Sequence, residues 1–559
     1  MKKILVAALS ISILIMILGC GLNQEEKQLK EFIRSHVEKV RPVEKEANLA
    51  YWNASISGKS EDYDRSSELQ IELNKIYSSK EDFEYLKLSK ASGRIKKPLL
   101  ARQLDVLFND YLQNQIEPAL MQEIVELSTK IEKQFSTFRP VIDGEKVTTN
   151  AVNAILKKET DSKKRKNAWL ASKAVGPMVA EDVIRLAKLR NQAAQHLGFD
   201  NYHTLTLATT EMDVEELNRI MDELYGLTYQ PFKTIKHEID SLLAQKYDIP
   251  VSEIKSWHYH DPFFQEVPLI FELDLDAYYK NKDVKELASL YFDGIGMPAE
   301  SILKKSDLYE HEGKNPHGYC TDIDREGDIR ILCNLKNDEG WMDIMLHELG
   351  HALYDKHFDS KLPFILRRPA HPFTTEAVAM FFGRLSRNPA WMKEMLGLSE
   401  EEQSQIDETA TKYTRLRQII FARWVMVMYN FEREFYSDPD QDLNALWWQL
   451  VEKYQLIEKP EKRNEPDWAS KIHIPLYPCY YHNYLLGELL ASQFHHHLIQ
   501  NVLKLEPDQN PGYVKQPEIG LYFKQKVFKS GSRYHWNEMI RQATGEPLKP
   551  KYFVDQFVY

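Results

Sequence analysis

Trp341-Met-Asp-Ile-Met-Leu-His347-Glu348-Leu-Gly-His351-Ala-Leu-Tyr354 is the stretch from which the rest of the chain can be read. Met342, Ile344, Met345, Leu346, Leu349, Ala352 and Leu353 make it an apolar helix with no proline inside. On a helix, residues four apart lie one above the other. His347 and His351 therefore share a face and can clamp one metal ion, and Glu348 beside them can reach a water there. This H-E-x-x-H spacing suits zinc, which accepts imidazole nitrogens and keeps a position open when it is catalytic. Leaving two imidazoles and a carboxylate in an apolar helix without partners would be costly.

Two histidines do not hold catalytic zinc, so a third ligand is required. Glu376 stands 25 residues beyond His351 (376 minus 351), in Thr374-Thr-Glu376-Ala-Val-Ala-Met-Phe-Phe382. A carboxylate at the head of an apolar helix is seldom left unpaired. The competing reading is a glutamate that caps the helix start. His371 and Asp359 are alternative ligands, less well placed in a Pro-rich turn and a polar loop. The expectation is one zinc ion held by His347, His351 and Glu376.

Composition bounds the remaining choices. A net charge of -11 argues against a nucleic-acid binder, which would want a basic face. Met1-Lys2-Lys3 precedes an apolar run, Ile4 to Leu18, too short to span a bilayer comfortably. It ends Ile17-Leu18-Gly19-Cys20, which resembles a bacterial lipobox cleaved before Cys20 and acylated there. The expected layout is a signal peptide at 1–19, a lipid-anchored tether at 20–30 and a helical domain at 31–559. That places the chain outside the cytoplasm in a bacterial cell envelope, anchored to a membrane; a monomer is the expected state, which the sequence does not itself reveal. Cys320 and Cys333 flank a short polar turn region and are the pair expected if a disulfide forms; two free buried thiols are the alternative.

Along the chain, amphipathic helices follow one another. Leu29, Phe32, Ile33 and Val37 recur at helical spacing, and Leu104 to Phe138 reads as one long helical region. The lysine-rich run Lys157 to Lys166, with Arg165, reads as a solvated helix face. Val214 to Lys246 reads as a pair of helices, and Thr409 to Tyr436 and Leu443 to Leu456 as two more. The one strand candidate is Asp328-Ile-Arg-Ile-Leu-Cys333, shortly before the histidine helix, where it could offer extended substrate an edge. With no repeat or Gly/Ser linker, the chain reads as mostly α, one large helical unit with lobes around a groove. His495-His-His497 is expected to be an exposed helix end rather than a second metal cluster.

His347-Glu-Leu-Gly-His351 with Glu376 resembles the gluzincin metallopeptidases of the peptidyl-dipeptidase A family, whose best-known member is angiotensin-converting enzyme. Lys471-Ile-His473-Ile-Pro475 is similar to that family's Lys-Phe-His-Ile-Pro segment, and Tyr481-His-Asn-Tyr484 to its tyrosine pair. His317-Gly318-Tyr and Asp328-Ile-Arg330-Ile resemble its strand and loop before the zinc helix. Ala50-Tyr-Trp52-Asn-Ala-Ser-Ile56 resembles its opening helix.

The resemblance implies a two-lobed helical ellipsoid with a deep central channel, a small sheet beside the zinc and lid-like N-terminal helices. It implies hydrolysis of short peptides, with release of C-terminal dipeptides. Glu348 would be the general base, and His473 and Tyr484 the oxyanion donors. His317 and Gly318 would hold substrate, and Lys471 and Tyr481 would grip its C-terminal carboxylate. Three departures stand out. Asn483 replaces the arginine of chloride-dependent members, Met380 replaces an aspartate that orients a zinc histidine, and the glutamine completing the carboxylate grip has no aligned counterpart, Gln245 and Gln265 being the unaligned candidates. Endo-oligopeptidase or carboxypeptidase action stays open, as does a lipoprotein that binds peptides without cutting them.

Overall fold

The computed structural model describes residues 22–271, 273–506 and 509–558. The signal peptide and Cys20 lie outside the described residues. The mostly helical expectation is met: apart from two small antiparallel hairpins, the regular elements are helices. Among the described residues no helix is long and apolar enough to cross a membrane.

Residues 24–30, expected to belong to a tether, are helical instead. Asn23 and Glu26 close a reciprocal capping box, and the first helix, Gln24–Ser57, starts there. Glu26 also accepts from the backbone of Lys96 and Lys97, and Leu29 is fully buried, so this turn is docked rather than trailing. Leu104 to Phe138 is likewise two helices, Pro98–Leu112 and Pro118–Thr137. Pro118 has no N–H to donate and disfavours a helical residue before it, so the second helix begins at the proline. Conversely, Val214–Tyr247 is one helix of 34 residues that passes through Pro231. Arg165 is not solvated. It is fully buried, donates to the carbonyls of Glu159, Trp257, His258 and Tyr259, and lies over the Tyr247 ring. A guanidinium with five donors can hold an irregular segment that has no ladder of its own.

One large core runs from Leu127 to Phe557, through the histidine helix Glu339–Lys356, the carboxylate helix Pro372–Gly383, the long helix Glu400–Ser437 and the helix His482–His497. The N-terminal helices bury Leu29, Ile33, Leu86, Leu104, Leu107 and Tyr111 in a separate cluster against Phe364, Ile365 and Leu366. Helix Gln24–Ser57 also lies along the hairpin that precedes the histidine helix. Lys45 pairs with Asp324 at 3.1 Å, Asn48 Nδ2 donates to the Asp322 and Ile323 carbonyls, and Arg41 and Glu44 pair with Glu326 and Arg325. The helix is thus fixed to the hairpin by charge pairs at its tip as well as by the apolar packing of Trp52 on Ile323 and Leu332.

That hairpin joins Tyr319–Asp322 to Ile329–Leu332 in antiparallel register, Cys320 facing Ile331. Cys320 and Cys333 are free thiols, so the expected disulfide is absent. In this register Cys333 is the diagonal neighbour of Cys320 on one face, and diagonal neighbours stand about 7–8 Å apart, beyond the usual disulfide span.

Candidate metal centre and active site

The histidine helix starts at Asp338, whose carboxylate accepts from the Trp341 N–H at 2.8 Å. It crosses the carboxylate helix at Gly350, inside the H-E-L-G-H sequence. A Cβ on Gly350 would sit 2.8 Å from Ala379 Cα, so only hydrogen there allows this approach. Gly487 on helix His482–His497 does the same on the other flank, where an added Cβ would meet the Glu376 Cβ at 3.1 Å.

This close packing brings three ligand atoms together. His347 Nε2 and His351 Nε2 are 3.2 Å apart, and Glu376 Oε2 is 3.6 Å and 3.9 Å from them. Ligands on a tetrahedral zinc at about 2.0–2.1 Å stand roughly 3.3 Å from one another, so the trio fits that ion. Among the described residues no other His, Cys, Asp or Glu group meets this way. His371 instead caps the carboxylate helix, its Nδ1 accepting from Phe373 N–H, and Asp359 accepts from the Lys361 N–H. The histidines 495 to 497 are not an exposed end. His495 is buried on the Tyr513 hydroxyl, and His496 and His497 pack on Tyr552 and Tyr522. Pointing to three different tyrosines, they cannot share an ion.

The local electrostatics favours an added cation. Burial, with His347 adding to it, drives the His351 pKa well below its usual value, so its lone pair is free. Burial raises the Glu376 carboxyl, against the pull of His347 and of Tyr480. Glu348 is buried beside the trio, and its pKa is pushed up to about 7 by that burial, with His347 pulling down and Glu376 pushing up. Neighbours hold the ligands in place: His351 Nδ1 is 2.7 Å from Thr375 Oγ1, and the Tyr480 hydroxyl donates to Glu376 at 3.3 Å. Neither Thr375 nor Tyr480 was expected from the sequence. Their one sequence signal is adjacency, Thr375 to Glu376 and Tyr480 to Tyr481.

A cavity of ≈ 700 Å³ opens beside His347 and Glu348, lined also by His317, Gly318, Gln265 and the Arg417–Phe421 face of the long helix, among others. His317 is exposed there, its backbone N–H donating to Asn315 Oδ1 at 2.9 Å. Behind Gln265, Lys471 is buried, and its ammonium donates to Gln265 Oε1 at 2.8 Å. Gln245 is exposed on its own helix, so the glutamine beside Lys471 is Gln265. Burial lowers the Lys471 pKa to about 8, against the pull of Asp261 and Glu266. The ammonium also lies 5.5 Å from the Tyr481 ring centroid.

His473 packs 5.1 Å from the Tyr481 ring, and Tyr484 lies 5.5 Å from Tyr481 and 5.3 Å from Tyr480. Burial, with Lys471 adding to it, lowers the His473 pKa to about 4, so the ring is neutral near pH 7. Its Nδ1 is buried with no partner among the described residues. The segment Lys471 to Tyr484 therefore reaches the site in two ways: Lys471 through Gln265, and Tyr480 through Glu376.

The family model described as angiotensin-converting enzyme matches residues 23–253 and 262–553. An angiotensin-converting enzyme-related protein of Drosophila melanogaster is 23% identical over 399 residues, 65% of this chain and 62% of that protein. The angiotensin-converting enzyme of Mus musculus is 26% identical over 268 residues, 46% of this chain and 20% of that protein. A Caenorhabditis elegans protein named inactive angiotensin-converting enzyme-related protein is 22% identical over 372 residues, 58% of this chain and 40% of that protein. The chain thus spans less than two thirds of the length of each of these relatives.

Proposed function

The chain belongs to the angiotensin-converting enzyme family, and on that premise we propose that it is a zinc metallopeptidase releasing C-terminal dipeptides from short peptides. The observation that carries the reading is the juxtaposition of the His347, His351 and Glu376 ligand atoms with the buried carboxylate of Glu348. A zinc ion held there would supply a Lewis acid for the scissile carbonyl and acidify a nearby water.

The protein groups do the rest. Glu348 accepts a proton from the attacking water and hands it to the departing amine nitrogen. Its low exposure places its affinity for protons near neutrality, which suits a group that must both take and give one. Tyr484 and His473 donate to the developing oxyanion; the loss of one such donor costs about 2.7–4 kcal/mol of barrier. His317 and Gly318 hold the peptide beside the hairpin. Asp307 bridges Leu332 on the hairpin's outer side, which leaves the strand Tyr319–Asp322 as the edge for an extended backbone. Lys471, Gln265 and Tyr481 receive the C-terminal carboxylate, the ammonium as the charge and Gln265 as its neutral anchor. Cys20 carries the lipid that holds the enzyme to an envelope membrane; Cys20→Ser should leave it in the soluble fraction.

A relative named inactive makes peptide binding without cleavage the second reading. One experiment separates them: zinc content of the purified protein, with mass spectrometry of products from peptides bearing free or amidated C-termini. The proposal expects one zinc per chain, loss of the C-terminal two residues from free acids, and no cleavage after chelation. Intact peptides recovered from zinc-loaded protein would overturn it in favour of a binder. Equal cleavage of amides would replace the dipeptidase mode with endopeptidase action.

A further inference from the structure

One wall of the cavity beside His347 and Glu348 is built by the long helix Glu400–Ser437. Tyr413, Arg417 and Phe421 recur there every four residues, and all three line the cavity. At that spacing they stand one above another on a single helix face. An arginine between two rings on the inner face of such a cavity is either a strut or a reader of charge, and the ion pairs decide which.

The other charged groups on these walls, outside the metal site, have close partners. Arg384 Nε donates to Glu488 Oε2 at 2.9 Å. Arg387, only 10% exposed, spans Asp343 at 2.6 Å and Glu339 at 2.9 Å. Glu266 pairs with Lys157 at 3.1 Å. Arg417 differs. Among the described residues its one hydrogen bond is Nη1 to Asp343 Oδ2 at 3.5 Å, on an oxygen that Arg387 holds at 2.6 Å. Its side chain stays 44% exposed. Most of the guanidinium's donors are therefore not engaged by protein.

In the reading above, the substrate's C-terminal carboxylate rests on Lys471 and Gln265, and the scissile bond lies at His347 and Glu348. Gln265, His347 and Glu348 all line this cavity, so the two residues to be released cross it. Neighbouring side chains of an extended chain point to opposite sides, so one of the two faces the long helix. We propose that Arg417 is a specificity-determining residue, selecting peptides with an acidic side chain at one of the two released positions. A carboxylate there meets a permanently charged fork that can bond both of its oxygens. The neutral amide of glutamine gains neither the charge nor the second acceptor.

The inference rests on the metallopeptidase reading, and its test keeps the two apart. Values of kcat/KM are measured for the zinc-loaded full chain on peptides of one sequence with Glu or Gln at the last or next-to-last position, as free acids and as amides. The proteins are wild type, Arg417→Gln, Arg417→Lys and Arg415→Gln, each at low and high salt, with melting followed alongside. Arg417 is partly exposed and makes one long hydrogen bond, so R417Q should fold. The expected result for wild type is a preference for Glu over Gln of about 10-fold or more at one position, shrinking as salt is added. R417Q should lose that preference and keep the ratio of free acid to amide. R417K should keep the preference in part, and R415Q in full, because Arg415 is exposed on the same helix away from this wall. A wild-type ratio within about twofold at both positions, or a preference that survives R417Q, would overturn the inference alone. Loss of the acid-to-amide ratio in R417Q would also overturn it, assigning Arg417 to the terminal carboxylate instead. No cleavage of any peptide by the zinc-loaded protein would overturn the metallopeptidase reading and this inference with it.

Discussion

On the proposed grip of a C-terminal carboxylate, replacing Lys471 by methionine should abolish the preference for peptides with a free C-terminus. The magnitude follows from burial. Lys471 is 7% exposed, and desolvation brings its pKa from 10.5 down to about 8. At about 1.4 kcal/mol per unit, the empty site holds the ammonium at a cost of roughly 3 kcal/mol. A substrate carboxylate arriving against Lys471 and Gln265 offsets that cost; an amide does not. K471M should therefore lower kcat/KM on free-acid peptides by roughly 10²–10³-fold and leave amidated peptides, already poor substrates, unchanged. The sign for stability is opposite. A lysine whose folded pKa is depressed destabilises the fold while it is protonated, below about 8, and the cost fades as pH rises from 8 toward 10.5. K471M should thus melt no lower than wild type at pH 7. In wild type, kcat/KM on free acids should fall as pH rises through about 8, and this limb should vanish in K471M. The assay is paired hydrolysis of one peptide as acid and amide from pH 6 to 9. An equal loss on both substrates, or a pH limb that survives K471M, would refute the reasoning.

Three further outcomes are expected. Glu348→Gln should retain zinc in elemental analysis yet lose about 10²–10⁴-fold in kcat, since it removes the base and leaves the ligands; normal turnover would sink the assignment. Gly350→Ala should lower the melting temperature and cost about 1–3 kcal/mol, although alanine is the better helix former, because its Cβ would sit 2.8 Å from Ala379 Cα. A stabilised G350A would show that the helix crossing is not close-packed. Tyr480→Phe removes the 3.3 Å bond to Glu376 and should weaken zinc binding by about 10-fold at most in chelator competition, with peptide KM unmoved; an unchanged zinc affinity would remove Tyr480 from the site.

Some of this protein is written in single segments and some is not. The trio His347, His351 and Glu376 was legible because each sits on a local pattern, a four-residue helical repeat or a carboxylate in an apolar helix, and such patterns depend only on the near neighbours of each residue. The predominance of helix was legible for the same reason. What escaped was whatever depends on which segments meet. Gln265 could not be chosen over Gln245 until an irregular loop was seen against Lys471. Arg165 read as a solvated charge because its four carbonyl partners are mostly about ninety residues away. The cysteines 320 and 333 looked like a pair along the chain, yet strand register set them on a diagonal. Helix period and apolar patterning are short-range and survive in one dimension; charge pairing, register and close helix crossings are set by packing, and packing exists only once the chain has folded.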